Sequence, residues 1–512
     1  MNQRTILLIG FLIVLLPLAL TLGQWSATDP VIAMGFSVGI VVLLVVVVLG
    51  RYVWLLIPLF HPFIGAFRLL PGGFALRDVV IGGVSVFLLI IWMVRRFEIR
   101  IRLGALEFIL LLQYACLAQA FIRRPAGFLV LGSETVGGRA YVEIPIALLG
   151  FILLASQVVD LKRVKQACIL LVSGGIGSAL LQVFATVVPV VGMVIMRGYD
   201  LLGGRGIMNA ASQANVIGSD ISAVGRKEYL ASLVKPLFSW LLAITRPLGL
   251  VNLRRPLIVI TFGVVMLAAL LSGFRSLLVW ITMLYIAAAI VRRHKVDILV
   301  ACLGGALLIV AATAGNGSLF NLPLSVQRTL SFLPGDWHYL AKESAEDTAN
   351  WRVVMWKEAM FTDKFIKNKW IGDGYGFRRD DLAFHAQIMM TDVVTPEMMQ
   401  EHFMRSGDYH SGPVETIHRV GYLGLIILTI GMVFFARYAV KMIRSTEGSP
   451  YYVCTMFIGL PMIIYPAFFY LVIGGYKEAL VIMTFSGGML RMIENSINKY
   501  GLGLPVSVES GA

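Results

Sequence analysis

Long apolar runs recur along almost the whole chain, separated by short polar stretches. A run of about 20 apolar residues is long enough to cross a bilayer as an α-helix. The clearest runs are 6–22, 31–49, 79–94, 103–121, 141–157, 167–195, 256–272, 277–291, 296–313, 414–436, 451–473 and 478–490. Two weaker runs, 53–70 and 236–250, are broken by prolines and charged residues. The pattern predicts an all-α polytopic membrane protein with roughly 12–14 transmembrane helices.

A polar insert at 316–413 interrupts this pattern. It contains four of the seven histidines and thirteen of the twenty-nine Asp and Glu residues. Because hydrocarbon cannot solvate so many polar groups, the insert must fold on one side of the membrane. We therefore predict N-terminal transmembrane helices over 1–313, a large external loop with short amphipathic helices over 314–413, C-terminal transmembrane helices over 414–498, and a cytoplasmic tail over 499–512.

The net charge is +14, but Lys and Arg occur in short clusters between the apolar runs, at 95–102, 162–165, 292–295 and 437–444. This distribution is typical of the cytoplasmic loops of membrane proteins and not of a nucleic-acid-binding surface. With these clusters inside, alternation of the apolar runs places the insert on the external side. The four cysteines lie singly within apolar runs, which indicates packing rather than a metal or redox site.

Two arginines are candidates for binding a phosphate group. Arg275 lies in a turn between two apolar runs, and Arg352 precedes Trp356 by four residues on what we predict to be an amphipathic helix against the membrane surface. The planar guanidinium matches phosphate oxygens and stays charged at any working pH. The alternative for Arg275 is that it is an ordinary interfacial arginine whose side chain snorkels. The alternative for Arg352 is a surface salt bridge with Glu358 or Asp347.

A glycine-rich segment at 371–377 contains Gly372 and Gly374. Such glycines allow the backbone to approach a ligand closely or to adopt positive φ, although an ordinary turn has the same pattern. Arg205 and Asn215 form a further external candidate that can contact phosphate or sugar, or belong to an ordinary loop.

His410 is the candidate general base, since it precedes the apolar run 414–436 and histidine titrates near neutrality. Asp408 or Glu415 can orient its ring. His418 is a second candidate for the base. The other histidines of the insert are expected to be solvated surface residues: His338, His385 and His402.

In this order the motifs resemble those of the O-antigen ligase and polymerase-like membrane family. Its members carry an Arg-Gly-x-x-x-Asn-type motif, an Arg-Ser turn between two spans, an Arg-x-x-x-Trp helix opening a large external loop, a Gly-x-Gly, and a His-Asn followed by a helix with Glu-x-Gly-x-x-Gly. The corresponding residues here are Arg205 and Asn215, Arg275 and Ser276, Arg352 and Trp356, Gly372 and Gly374, His410, and Gly421 and Gly424. Ser411 stands where the family has Asn, and the nearest acid before the two helix glycines is Glu415.

The resemblance implies an enzyme that moves a glycan from an undecaprenyl-diphosphate carrier to an acceptor sugar hydroxyl, with inversion at the anomeric carbon. Its implied partners are the lipid-linked glycan donor, a glycan or lipid-linked acceptor, and membrane lipid, and its implied location is the bacterial inner membrane with the site on the periplasmic side. The implied catalytic residues are His410, Arg275 and Arg352, and the implied substrate-binding residues are Arg205, Asn215, Trp356, Gly372, Gly374 and His418.

No Asp-x-Asp motif lies in an external segment, so we expect a reaction without a metal or other cofactor. The main alternative is a polytopic transporter or flippase of envelope glycan precursors, which predicts charges or discontinuous helices near the bilayer midplane. A third hypothesis is that the protein is a structural subunit of an envelope glycan-export complex. Polymerase, ligase and protein glycosyltransferase activities are not separated by the sequence.

Overall fold

The computed structural model describes residues 48–67, 73–95, 104–127, 136–188, 199–200, 227–377, 379–390 and 395–502. Within these residues the chain is a bundle of α-helices. The helices before the insert are α1 (Leu56–Phe60), α2 (Leu76–Arg95), α3 (Ala105–Arg123), α4 (Ala140–Ala155), α5 (Leu161–Val187), α6 (Glu228–Ile244), α7 (Pro256–Leu271), α8 (Arg275–Val291) and α9 (Lys295–Gly315).

The insert contains four helices, and three longer helices follow it. In chain order these are α10 (Leu324–Leu330), α11 (Tyr339–Phe361), α12 (Arg379–Met390), α13 (Pro396–Ser406), α14 (Gly412–Ser445), α15 (Tyr452–Leu471) and α16 (Tyr476–Tyr500). The described residues also include 3-10 turns at Gly50–Leu55 and Pro247–Val251, and one antiparallel pairing of β1 (Ala66–Phe67) with β2 (Tyr199–Asp200).

The fold confirms the predicted class of all-α polytopic membrane protein. Among the described residues, five helices are long and apolar enough to cross a membrane, namely α3, α5, α9, α14 and α15. Helices α4, α6, α7 and α8 are shorter but also apolar. The first two predicted spans, 6–22 and most of 31–49, lie outside the described residues.

The two weaker runs differ from their predicted bounds. Helix α6 begins at Glu228, eight residues before the predicted start, and continues through Pro236 to Ile244. The run 53–70 forms a 3-10 turn followed by α1, which ends at Phe60. Neither run is one helix with the bounds that its apolar residues suggest, because α1 ends in a turn after Phe60 and α6 ends at Ile244, before the 3-10 turn that begins at Pro247.

Contacts between helices define two ends of the bundle. At one end, Arg292 after α8 donates to the carbonyls of Leu242 (2.8 Å) and Ala243 (2.7 Å) at the end of α6 and stacks over Tyr452 at the start of α15. We call this the basic end, because the clusters 162–165, 292–295 and 437–444 lie there. The opposite end, from which the insert emerges after α9, is called the insert end.

Ion pairs fix α16 to its neighbours near its start and in its second half. Arg491 binds both carboxylate oxygens of Glu107 at the start of α3, at 2.8 and 2.9 Å. Lys477 Nζ binds Glu143 at the start of α4, at 2.9 Å. Arg139 Nε also pairs with Glu143, at 2.5 Å. Glu107 and Glu143 are 7% and 1% exposed, so each carboxylate has lost its hydration and depends on its basic partners.

The insert has a small apolar core of its own at the insert end. It is formed by α11, α13 and the start of α14, and its buried members are Met355, Ala359, Ile366, Met404, Tyr409, Val414 and Ile417. Because Val414 and Ile417 belong to a long apolar helix, this core joins the polar insert to the bundle.

Candidate functional site

Helix α14 is broken near its start, at Gly421, where φ is +75° and ψ is −178°. The insert fills the break, since Tyr422 N donates to the Lys369 carbonyl (2.8 Å) and Leu423 N donates to the Trp370 carbonyl (3.2 Å). A Cβ at position 421 would overlap the Trp370 carbonyl. Only glycine therefore permits the insert backbone to lie in this gap.

The break divides α14 into two unequal parts. The part at 422–445 is about 36 Å long at 1.5 Å per residue, which exceeds the roughly 30 Å of bilayer hydrocarbon. It can therefore cross a membrane alone. The short part at 412–420, which carries His418 and Arg419, then lies at the edge of the membrane rather than at its midplane.

The glycine-rich turn of the insert, residues 371–377, packs against this short part. Asp373 N donates to the His418 carbonyl at 2.6 Å. Gly372 has φ of +76°, and a Cβ there would overlap the backbone of Val420. The sequence predicts that the backbone at this glycine approaches another group closely. In the structure that group is the backbone of α14.

Gly374, two residues after Gly372, occupies a similar position. Its φ is +81°, its N–H donates to the Arg419 carbonyl at 3.1 Å, and a Cβ there would overlap the Tyr141 hydroxyl of α4. Tyr375 N donates to the same hydroxyl at 2.8 Å. The turn is thus held between α14 and α4.

The end of α3 binds the other face of the turn. Arg123 donates to the Ile371 carbonyl at 2.9 Å and to the carbonyl that follows at 2.7 Å, and Gln119 donates to the Ile371 carbonyl at 2.8 Å. Arg124 Nη1 lies 2.9 Å from Asp373 Oδ1. These contacts fix the turn to helices that lie in the bundle itself.

His410 lies between α13 and α14 in the loop 407–411. Its φ is +50°, an uncommon backbone conformation for a residue other than glycine. Its Nδ1 lies 3.3 Å from Asp408 Oδ1, and its ring packs against Phe403 with centroids 4.9 Å apart. The side chain is 23% exposed, so the ring is oriented by neighbours and remains accessible.

Trp356 connects α11 to the residue before His410. Its indole Nε1 donates to the Tyr409 carbonyl at 2.8 Å. Arg352 lies one turn before Trp356 on the same helix and is partly buried. On α11, Met355 packs with Tyr409 and Ile417 in the insert core, so the whole helix is fixed against the His410 loop.

His418 supports the same loop from within α14. It is 9% exposed, and its Nδ1 shares a hydrogen bond of 3.0 Å with the hydroxyl of Tyr409. The same hydroxyl lies 3.2 Å from the Met404 carbonyl, to which it donates when Nδ1 of His418 carries the proton. Burial raises the pKa of Tyr409 well above its usual range, against the opposing effect of the nearby Arg419 charge. The hydroxyl therefore stays protonated and holds the loop at any physiological pH.

Arg275 is the first residue of α8 at the insert end and is partly buried. The end of α7, just before it, is joined to the insert, because the Thr329 hydroxyl of α10 donates to the Leu270 carbonyl at 3.2 Å. Further along α8, Trp280 packs edge-on against Phe468 of α15. The neighbouring Phe469 closely contacts Gly412, two residues after His410. Arg275 and His410 therefore lie at the same end of the bundle.

Five of the predicted site residues lie within one connected set of contacts, namely Trp356, Gly372, Gly374, His410 and His418. Arg352 lies one helical turn before Trp356 on α11. Arg275 lies at the same end of the bundle. Arg205 and Asn215 are outside the described residues.

The sequence interpretation missed the residues that join these motifs, of which Arg419, Asp373 and Tyr409 are the most important. Arg419 is 8% exposed, and its guanidinium lies 4.4 Å from the centroid of the Tyr375 ring. One signal was present in the sequence, since an arginine inside the apolar run 414–436 is a default indication of function. The contact of Asp373 with Arg124 and that of Tyr409 with Trp356 involve residues distant in the chain and carry no such local signal.

Comparison of this chain with known protein families, with curated proteins and with solved structures finds no match.

Proposed function

We propose that this protein is a membrane glycosyltransferase that moves a glycan from an undecaprenyl-diphosphate carrier to an acceptor hydroxyl. The observation that supports it best is the hydrogen bond from Trp356 to the Tyr409 carbonyl. It holds the helix of Arg352 against the loop of His410, at the end of the bundle where Arg275 also lies. A base and two phosphate-binding groups at one end of a membrane bundle suit a lipid-linked diphosphate substrate.

The two arginines would bind the diphosphate and stabilise its charge as it leaves. Loss of such a charge-stabilising donor typically costs a factor of about 10²–10³ in rate. At headgroup depth the effective dielectric is lower than in water, so the attraction between guanidinium and phosphate is stronger.

His410 would accept the proton of the acceptor hydroxyl. Asp408 lies 3.3 Å from Nδ1, which favours a proton on that nitrogen and makes Nε2 the basic nitrogen of the ring. The acceptor oxygen attacks the anomeric carbon, the bond from that carbon to the phosphate oxygen breaks, and the diphosphate leaves with the bonding electrons. The configuration at the anomeric carbon is inverted. No metal or cofactor takes part in this scheme.

The lipid-linked donor fits a site at the edge of the membrane. Its tail would lie among the apolar helices, and its sugars would extend toward the insert, which would select a glycan or lipid-linked acceptor. In this proposal the protein lies in the bacterial inner membrane, with the insert end on the periplasmic side.

The proposal is tested with purified protein and a fluorescent glycan on a polyprenyl diphosphate. Three acceptors are offered separately: a second lipid-linked glycan, lipid A-core and a peptide with serine hydroxyls. We expect transfer to one of them by the wild type, and a loss of about 10²–10⁴-fold for His410→Ala. Arg275→Ala and Arg352→Ala are expected to lose activity as well.

The matched control is His338→Ala, since His338 is an exposed histidine of the same insert. It is expected to keep wild-type activity. Normal transfer by all three site variants, in folded protein, would refute the proposed site. A transporter or flippase would instead move the intact donor between the leaflets of a vesicle and form no new glycosidic bond, so the same preparation distinguishes that alternative.

A further inference from the structure

Arg419 is a buried arginine whose hydrogen-bond partners are neutral carbonyl groups. Its side chain lies in the short part of α14, more than nine-tenths buried, and among the described residues it forms no ion pair with a carboxylate. Burying a guanidinium without a counter-ion is costly. A residue of this kind is retained where its hydrogen bonds do something that an apolar side chain cannot do.

The two hydrogen bonds of Arg419 join segments that are distant in the sequence. Nη2 donates to the Ser406 carbonyl at 2.7 Å, at the end of α13 and four residues before His410. Nη1 donates to the Gly374 carbonyl at 3.3 Å, in the glycine-rich turn. The rigid fork of a guanidinium suits this task, because it can donate in two fixed directions at once.

The space around the guanidinium is occupied by protein. The ring of Tyr375 covers one face with its centroid 4.4 Å away. Gly407 lies against the guanidinium, since a Cβ at Gly407 would be only 2.7 Å from Nη2 of Arg419. Gly407 also has φ of +74°, which turns the chain from α13 toward His410. Because the guanidinium is enclosed, Arg419 is better suited to holding the loop in place than to contacting a substrate directly.

We propose that Arg419 is a positioning residue, which sets the place of His410 by holding the segment 406–408 to the glycine-rich turn. The inference rests on the proposed function, because it assigns His410 as the base. The turn is itself bound to α3 through Arg123 and Arg124. Arg419 therefore fixes the segment before His410 relative to the membrane helices, and Trp356 binds the same loop at the Tyr409 carbonyl.

The test compares Arg419→Lys and Arg419→Gln with the wild type in the transfer assay. Lysine keeps the charge but reaches one carbonyl only, and glutamine removes the charge. We expect kcat to fall by about 10²-fold in both variants, the cost typical of a misplacement near 1 Å. The KM for the lipid-linked donor should stay within about twofold, because no contact with the donor is lost.

A second readout does not depend on activity. Diethyl pyrocarbonate modifies accessible neutral imidazoles, and mass spectrometry of the peptides gives the rate for each histidine. We expect the rate at His410 to rise several-fold in both Arg419 variants, while the rate at His338 stays constant as an internal reference. The control is Arg405→Gln, which removes a neighbouring charge that pairs with Glu401 and Asp381 and should leave both rates unchanged.

The outcomes separate this inference from the proposed function. If the wild type forms no new glycosidic bond, the proposed function has failed, and if His410→Ala transfers glycan normally, His410 is not the base and the positioning role falls with it. If His410→Ala is inactive but the Arg419 variants keep the wild-type kcat and labelling rate, the positioning role is refuted. A rise in donor KM without a change in kcat or labelling also refutes it, since Arg419 would then bind the donor directly.

Discussion

Gly372 of the insert and Gly421 of α14 lie on two backbones that cross in direct contact. Gly372 lies against the backbone of Val420, and Gly421 lies against the Trp370 carbonyl. Both glycines have positive φ, near +75°. Neither position has room for a side chain, so the break in α14 and the glycine-rich turn depend on each other.

Gly421→Ala tests this mutual dependence. The substitution places a Cβ on the Trp370 carbonyl and forces alanine into a left-handed backbone conformation. We expect a loss of at least about 2 kcal/mol in stability, since an unfavourable φ alone costs roughly 1–3 kcal/mol. The measurement is the thermal unfolding midpoint of the purified protein in detergent.

The matched control is Gly263→Ala in α7. A Cβ there meets no atom within 4 Å, and its φ does not require glycine. Alanine should stabilise that helix slightly, by up to about 1 kcal/mol. Equal unfolding midpoints for the two variants would contradict the close crossing at Gly421.

Much of the bundle follows from the apolar pattern. Helices α8 and α9 begin and end within about two residues of the predicted runs 277–291 and 296–313, because each is bounded by charged or glycine-containing turns. The predicted run 236–250 begins eight residues too late for α6, because a proline is typical of the first turn of a helix. In the structure Pro236 lies in the interior of a helix that begins at Glu228.

The site was predicted as a set of motifs but not as a set of contacts. The residues His410, Trp356 and Gly372 could be chosen from residue type and order alone. The bonds that join the motifs link distant positions, as in the pairs Arg419 with Gly374 and Trp356 with Tyr409. Local periodicity contains no information about such pairs, nor about the positive φ of His410.

Glu107→Gln should destabilise the basic end. It leaves the guanidinium of Arg491 with Glu494 as its remaining carboxylate and removes the ionic link from α16 to α3. Removing one partner of a buried ion pair typically costs about 3–5 kcal/mol, and the partial exposure of Arg491 places this case at the lower end. Thermal unfolding in detergent measures the effect.

The double variant Glu107→Leu with Arg491→Met provides the control. It removes both charges and replaces them with apolar groups of similar size. Such replacements are often neutral or stabilising, so the double variant should unfold at a higher temperature than Glu107→Gln. The opposite order would show that the pair stabilises the protein through its own attraction.

Trp356→Phe should separate positioning of the His410 loop from overall packing. Phenylalanine keeps an aromatic ring but cannot donate to the Tyr409 carbonyl. We expect a loss of about 1 kcal/mol in stability and a fall in kcat with little change in donor KM. The comparison is Trp370→Phe, whose side chain is 74% exposed and which should behave as wild type. Unchanged kcat in Trp356→Phe would mean that this hydrogen bond does not set the position of His410.

Tyr409→Phe tests the buried hydroxyl through the pH dependence of stability. Burial raises the pKa of Tyr409 in the folded protein above its ordinary value of 10.0. Below pH 10 the hydroxyl is protonated in both states, so its hydrogen bonds to His418 and Met404 stabilise the fold fully. Near pH 8 the variant should therefore be less stable than wild type by about 1 kcal/mol.

Above pH 10 the difference between the two proteins should shrink. The unfolded wild type then loses the Tyr409 proton while the folded protein keeps it, which favours unfolding by about 1.4 kcal/mol for each further pH unit. The variant lacks this group, so its stability falls less steeply, and the two unfolding midpoints should converge toward pH 11. Parallel curves from pH 8 to pH 11 would mean that Tyr409 titrates normally in the fold and that its hydroxyl is not buried at the His410 loop.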